Sequence, residues 1–128
     1  MDSPKRQKTS ILRTSSGAID NVQYFEQAEC VGKIKHGIEK RVDYTRDTSL
    51  NTTRQWLHGK LHGVEISEFT VNDIVVMRAE RTYRKGKLHG IEVVREYVYK
   101  KDQKFCIIRQ TTYKKGKVRA QSSRTVVL

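Results

Sequence analysis

The sequence predicts an all-β protein, an elongated antiparallel β-meander of stacked hairpins with about eight strands, and three observations predict it. First, a glycine-lysine motif recurs: Trp56-Leu57-His58-Gly59-Lys60-Leu61-His62-Gly63-Val64-Glu65 is written again as Tyr83-Arg84-Lys85-Gly86-Lys87-Leu88-His89-Gly90-Ile91-Glu92. Gly59 to Gly86 and Gly63 to Gly90 each span about 27 residues, a fixed period of the kind that marks a stacked array. Second, the residues after each motif alternate in character with a period of two, as strands do. Third, a different class of turn, rich in Asn and Asp, falls between successive motifs.

Residues 1–20 differ in composition from the rest and are expected to be a basic, flexible N-terminal tail. Lys5, Arg6, Lys8 and Arg13 sit among serines and threonines beside the one proline, Pro4, with too little apolar surface to offset the entropy of ordering. Ile11 and Leu12 are the exception, a pair able to dock as an extra edge strand.

Residues 21–128 form the expected repeat domain of about four units. Gly32-Lys33-Ile34-Lys35-His36-Gly37-Ile38-Glu39 is the first copy, with one extra residue before His36. Tyr113-Lys114-Lys115-Gly116-Lys117-Val118 opens the last, which decays where Arg119-Ala120 replaces His-Gly. The strand after Gly90 sets Ile91, Val93, Arg95, Tyr97 and Tyr99 against Glu92, Val94, Glu96 and Val98, so both faces are mixed. Strands return over Arg54 to Leu57, Ile74 to Tyr83 and Phe105 to Tyr113, after turns at Arg46 to Asn51, Asn72-Asp73 and Lys101 to Gln103. A helical reading does poorly, because β-branched residues dominate and no apolar stripe at helical spacing exceeds one turn.

Within each motif the two glycines are expected to serve differently. Gly59, Gly86 and Gly116 fall at hairpin tips, where positive φ favours glycine. Gly37, Gly63 and Gly90 lie inside the next strand, where a bare backbone makes room for the ring of Trp56, Tyr83 or Tyr113 on an adjacent strand. His36, His62 and His89 occupy equivalent register positions, which points to packing or hydrogen bonding in every unit. Glu39, Glu65 and Glu92 are expected to form a ladder with Lys or Arg across strands.

The pattern aromatic-x-x-Gly-Lys-Leu-His-Gly-(Val/Ile)-Glu resembles the MORN-type repeat, in the variant form also seen in bacterial antitoxin-like repeat proteins and in multicopy repeat proteins of large DNA viruses. The resemblance covers most of residues 22–128. It implies an elongated curved sheet of hairpins used for protein assembly or membrane-lipid association, without catalysis of its own. Its structural positions here are Trp56, Gly59, His62, Gly63, Tyr83, Gly86, His89, Gly90, Tyr113 and Gly116.

The residues themselves offer no enzyme. His58 and His62 stand four apart, but Gly59 separates them at a hairpin tip, so no metal site is expected. Gly-Lys lacks the second glycine, the following Ser/Thr and the helix of a phosphate loop. Cys30 and Cys106 form no CxxC and read as free buried thiols, with a disulfide linking the first and last repeats as the lesser alternative. No cofactor and no small-molecule substrate is expected.

Charge is the functional handle. The formal net charge of +12 over 128 residues favours an acidic or polyanionic partner. Lys60, Lys85, Lys87, Lys114, Lys115 and Lys117 fall at turns of one type and should gather along one long edge, with Lys5, Arg6 and Lys8 of the tail as further polyanion contacts. The bland alternative is a lysine edge that keeps open strands from polymerising. The first functional reading is a non-enzymatic protein–protein interaction and assembly element, able to self-associate and to serve as a minor structural component of a large viral particle. The alternatives are a nucleic-acid-binding accessory protein, then an antitoxin-like binding protein, with anionic lipid a lesser partner. Disruption by changes at Tyr97 and Val98 would mark assembly, and disruption by charge reversal at Lys85, Lys87 and Lys115 would mark nucleic-acid binding. The first twenty residues lack a signal-peptide core and no run is long enough to span a bilayer, so the protein is expected to be intracellular and soluble or packaged in a virion.

Overall fold

A computed structural model describes residues 10–128, and these fold as one open antiparallel sheet without helix. In chain order the strands are β1 (Ile11–Ile19), β2 (Val22–Val31), β3 (Ile34–Tyr44), β4 (Thr48–Leu57), β5 (Lys60–Leu61), β6 (Gly63–Val71), β7 (Ile74–Arg84), β8 (Lys87–Leu88), β9 (Gly90–Lys100), β10 (Gln103–Lys114) and β11 (Lys117–Val127). Nine of them lie side by side in the order β1-β2-β3-β4-β6-β7-β9-β10-β11, while β5 and β8 pair back onto β4 and β7. The expected meander of hairpins is therefore the fold.

The strand count is eleven rather than about eight, for two reasons. Residues Ile11–Ile19, assigned above to a flexible tail, are the edge strand β1, paired with β2 from Ile11↔Cys30 to Ile19↔Val22. The Asp20-Asn21 turn explains this: both residues have positive φ (50° and 66°), the geometry of a two-residue hairpin whose twist matches its strands. The strand after a Gly-Lys tip is also split. Lys60–Leu61 pairs with β4, the chain then steps out at His62, and pairing resumes in β6, with the same break at His89. The turn expected over Arg46 to Asn51 is shorter than that: Thr48 to Asn51 already belong to β4. Within the tail, Lys5, Arg6 and Lys8 lie outside the described residues.

At the step the backbone amides of His62 and His89 donate to the carbonyls of Gln55 (2.9 Å) and Thr82 (2.8 Å), so the bulge leaves no amide orphaned. Gly63 follows at φ 89°, a conformation costly for any residue with a Cβ. The expected register is present, since Gly37 stands opposite Trp56, Gly63 opposite Tyr83 and Gly90 opposite Tyr113. The space beside these glycines is filled differently from expectation. A Cβ on Gly63 would meet Gln55 Oε1 at 2.5 Å and one on Gly37 would meet Glu29, whereas nothing lies within 4 Å at Gly90. Backbone conformation, not ring packing, demands glycine there. Gly63→Ala should lower stability by about 1–2 kcal/mol in urea unfolding, the cost of forcing an L-residue into the left-handed region.

A single layer buries little. Among the described residues only Ala28, Cys30, Ala79 and Cys106 are buried apolar residues, joined by the polar Glu39, Thr52, Glu65 and Thr111. By register Ala28, Glu39, Thr52, Glu65, Ala79 and Thr111 share one face, so what core there is lies under the long side chains of that face. Cys30 and Cys106 are both free and buried. No helix among the described residues is long and apolar enough to cross a membrane.

Candidate functional site

The two kinds of turn go to opposite long edges of the sheet. On the glycine edge each tip bonds to the unit before it: the amide of Gly59 donates to the carbonyl of Lys35 (3.1 Å), that of Gly86 to Leu61 (2.9 Å) and that of Gly116 to Leu88 (2.9 Å). The tips are thereby locked in line, one per two strands, or about 9.5 Å apart at normal strand spacing. The side chain of Lys60 stands over Gly86 and that of Lys87 over Gly116, each 3.9 Å from the point a Cβ would occupy. Tip geometry explains why a lysine can sit there at all. In the Lys85-Gly86 turn both residues have positive φ (52° and 81°), which places the Lys85 side chain at the exposed apex.

Between the last two tips lies a cleft of about 400 Å³ lined by Arg84, Lys85, Lys87, His89, Lys114 and Lys115. No carboxylate among the described residues lines it. Among the described residues none of these six makes an ion pair, and neither do Lys33, Lys60 and Lys117.

The acidic residues are engaged elsewhere. One row on the better-buried face reads Glu26, Lys35, Glu39, Arg54, Glu65, Arg81, Glu92, with contacts of 2.7 Å (Lys35–Glu26), 3.5 Å (Arg54–Glu39), 2.7 Å (Arg54–Glu65), 2.9 Å (Arg81–Glu65) and 2.8 Å (Arg81–Glu92), and a further Lys35–Glu39 pair. This is the expected glutamate ladder, with Glu39 and Glu65 each between two cations of the row and Glu26 and Glu92 at its ends. Beside it the glycine and aromatic residues alternate, and Lys35 Nζ lies 5.1 Å from the Trp56 ring centre. On the far face Arg78 bridges Glu68 and Glu80. Among the described aspartates Asp43 pairs with Arg41 (2.9 Å), and the others, Asp20, Asp47, Asp73 and Asp102, fall at the Asx turns, so the two long edges carry opposite acidic and basic emphasis.

The ladder sets protonation. A hydrogen bond from Lys35 holds the Glu26 carboxyl below the usual carboxylate range against the opposing effect of burial. Burial pulls Lys35 down, but its bonds to Glu26 and Glu39 outweigh this and raise it. Burial, with the charge of Glu65 behind it, pushes the Tyr83 hydroxyl up. A depressed carboxyl stabilises the fold fully above its unfolded value of about 4.3 and loses that contribution as pH falls through the lower folded value. Acid unfolding followed by fluorescence should therefore steepen below about pH 4.3, and Glu26→Gln should flatten that limb.

The histidines do not converge on a metal arrangement. His58 pairs with His36, at 5.1 Å between ring centres, and its amide donates to His36 Nδ1 (3.2 Å), whereas His62 sits at the bulge. No group of three or more His, Cys, Asp or Glu gathers among the described residues.

The structure thus brings Lys85, Lys87, Lys114 and Lys115 into one cleft and strings Lys60 and Lys117 along the same edge. The repeat positions Trp56, Gly63, Tyr83, Gly90 and Tyr113 form a row across the sheet, and His62 and His89 mark its bulges. Sequence reasoning missed Arg84 and His89 as cleft residues, because their contribution depends on two tips separated by a whole unit. It also missed which cations hold the ladder: Arg54 and Arg81 lie opposite motif glutamates only once the bulges are known, and Lys35 reaches Glu39 along its own strand.

Five lysine and arginine side chains and a histidine converging without a counterion among the described residues suit carboxylate or phosphate oxygens, which accept charge-assisted hydrogen bonds. Compared with known proteins, the chain matches no family model, no curated protein and no solved structure.

Proposed function

We propose that the chain is a non-enzymatic interaction element of MORN-like repeats, which holds an anionic macromolecule along its lysine edge. The observation supporting this is the segregation of charge: most glutamates are tied into ladders on the faces, while the cleft between the Lys85 and Lys115 tips gathers six basic side chains with no acid among them. In the first reading the partner is an acidic protein surface within a larger assembly, such as a viral particle, with the half-buried faces around Tyr97 and Val98 available to a second contact. The regular step of the tips favours a second reading, in which a nucleic-acid backbone is tracked by its phosphates. No aromatic ring other than that of His89 lines the cleft, so such binding would be tolerant of sequence. An antitoxin-like role would use the same edge against an acidic target.

Anisotropy titrations of labelled poly-L-glutamate and of a labelled single-stranded oligonucleotide, from about 50 to 200 mM salt, test the proposal. Binding of both should weaken linearly on a log–log plot. Tighter binding of poly-L-glutamate selects the acidic-protein reading, and tighter binding of the oligonucleotide selects the second. Absence of binding to either at the lowest salt would remove the proposal.

A further inference from the structure

The two exposed edges of the sheet are not alike. β11 carries Lys117, Arg119 and Arg124 with no acid, and its pairing with β10 is interrupted by a bulge at Thr112/Tyr113, both devices that discourage a further strand from adding. β1, Ile11-Leu12-Arg13-Thr14-Ser15-Ser16-Gly17-Ala18-Ile19, has one charge, no proline and no register shift, yet it is exposed along its whole length. Ile11 (54%), Leu12 (56%) and Ile19 (60%) are among the most exposed large apolar residues of the sheet.

We infer that β1 is a self-pairing edge: two copies of the chain join through antiparallel β1 strands about a two-fold axis at Ser15, normal to the sheet. This inference concerns a different surface from the lysine cleft and does not depend on the anionic partner.

Three independent features lead to it. The strand is self-complementary about its middle. A register centred on Ser15 sets Ile11 against Ile19 of the second copy and Leu12 against Ala18, apolar against apolar at both ends. It sets Arg13 against Gly17, which has no side chain and is covered by the Tyr24 ring, 3.1 Å from the point a Cβ would occupy. An arginine arriving there meets the Tyr24 ring, against which Arg41 already lies at 4.6 Å with its own charge paired to Glu26 and Asp43.

The backbone agrees with the same register. In a two-residue hairpin the residues flanking the turn exchange hydrogen bonds, so Ile19 bonds inward to Val22, and with it Gly17, Ser15, Arg13 and Ile11 face β2. The amides and carbonyls of Leu12, Thr14, Ser16 and Ala18 point to the free edge. Centring on Ser15 brings Thr14 opposite Ser16 and Leu12 opposite Ala18, so each outward group meets an outward group.

Finally, strand parity and charge select the two-fold arrangement over a filament. Nine strands alternate along the sheet, so β1 and β11 run in the same direction. Head-to-tail addition with the same face up would make a parallel pair and align lysine edge with lysine edge. The two-fold arrangement is antiparallel and continues the lysine edge of one copy with the Asx edge of the other, starting from Asp20 beside the Gly32-Lys33 tip. One strand pair is a small interface, at the low end of the range and under about 1,200 Å², so the dimer is reversible and concentration-dependent.

Sedimentation of the full chain over increasing concentration, with three variants, tests this. The wild-type chain should pass from monomer to dimer. Thr14→Pro removes one outward amide and spares the bonds to β2, so it should remain monomeric with an unchanged melting temperature. Ser15→Cys places two thiols across the axis, at about 4.5 Å between Cα atoms in a non-hydrogen-bonded pair, and should oxidise to a covalent dimer, whereas Ala18→Cys, distant from its own copy, should not. Cys30 and Cys106 are buried and stay out of the reaction. A wild-type chain that stays monomeric throughout, a dimer that survives Thr14→Pro, or equal cross-linking at positions 15 and 18 would each overturn the inference. None of these outcomes bears on anion binding by the opposite end of the sheet.

Discussion

Glu65→Ala should be the most damaging single substitution in the chain, lowering unfolding free energy by about 2–3 kcal/mol. Glu65 is only 4% exposed and accepts from Arg54 at 2.7 Å and from Arg81 at 2.9 Å. Removing one partner of a fully buried pair costs about 3–5 kcal/mol, because the charge left behind is uncompensated. Here both arginines are partly solvated, which reduces the penalty. Arg81 retains Glu92 and Arg54 retains Glu39, so the row is broken in the middle rather than abolished. Urea unfolding checks the magnitude. A loss under about 0.5 kcal/mol would show that the ladder follows the fold and does not stabilise it.

Neutralising Lys85 and Lys115 together should have the largest effect on binding. If each of the five lysine and arginine side chains of the cleft displaces a counterion from single-stranded nucleic acid, the log–log salt slope is about −3.5, and the double glutamine variant should flatten it by about 1.4. Both residues are exposed and make no ion pair among the described residues, so the melting temperature should not move. An unchanged slope in the variant would place the contact elsewhere on the molecule.

Much of this architecture was legible in the chain because it is repeated. Gly37, Gly63 and Gly90 recur at fixed offsets from an aromatic and a glutamate, and a strand pairing that satisfies one unit satisfies all, so the glycine–aromatic pairs and the row of Glu39, Glu65 and Glu92 followed from spacing. The lysine edge followed from the same regularity. What spacing could not deliver was non-periodic. β1 lacks alternation and is rich in serine, so its composition resembles a tail; the Asp20-Asn21 turn and the length of β2 make it a strand. The outward steps at His62 and His89 were hidden because Leu-His-Gly reads as continuous strand until positive φ at Gly63 and Gly90 is known. The identity of the cleft depended on Arg84 and Lys114 belonging to tips one unit apart, a relation between strands and not along them.

The locking of each Gly-Lys tip to the carbonyl of the unit before it has a consequence for how such a protein changes over time. The last two joints use the same motif carbonyl, that of Leu61 and of Leu88, so duplication or loss of one such copy alters the molecule's span by two strand widths, about 9.5 Å, and leaves the other joints intact. Reach is then a heritable quantity that can be adjusted in whole steps, as on a notched gauge, without renegotiating how the polypeptide holds together.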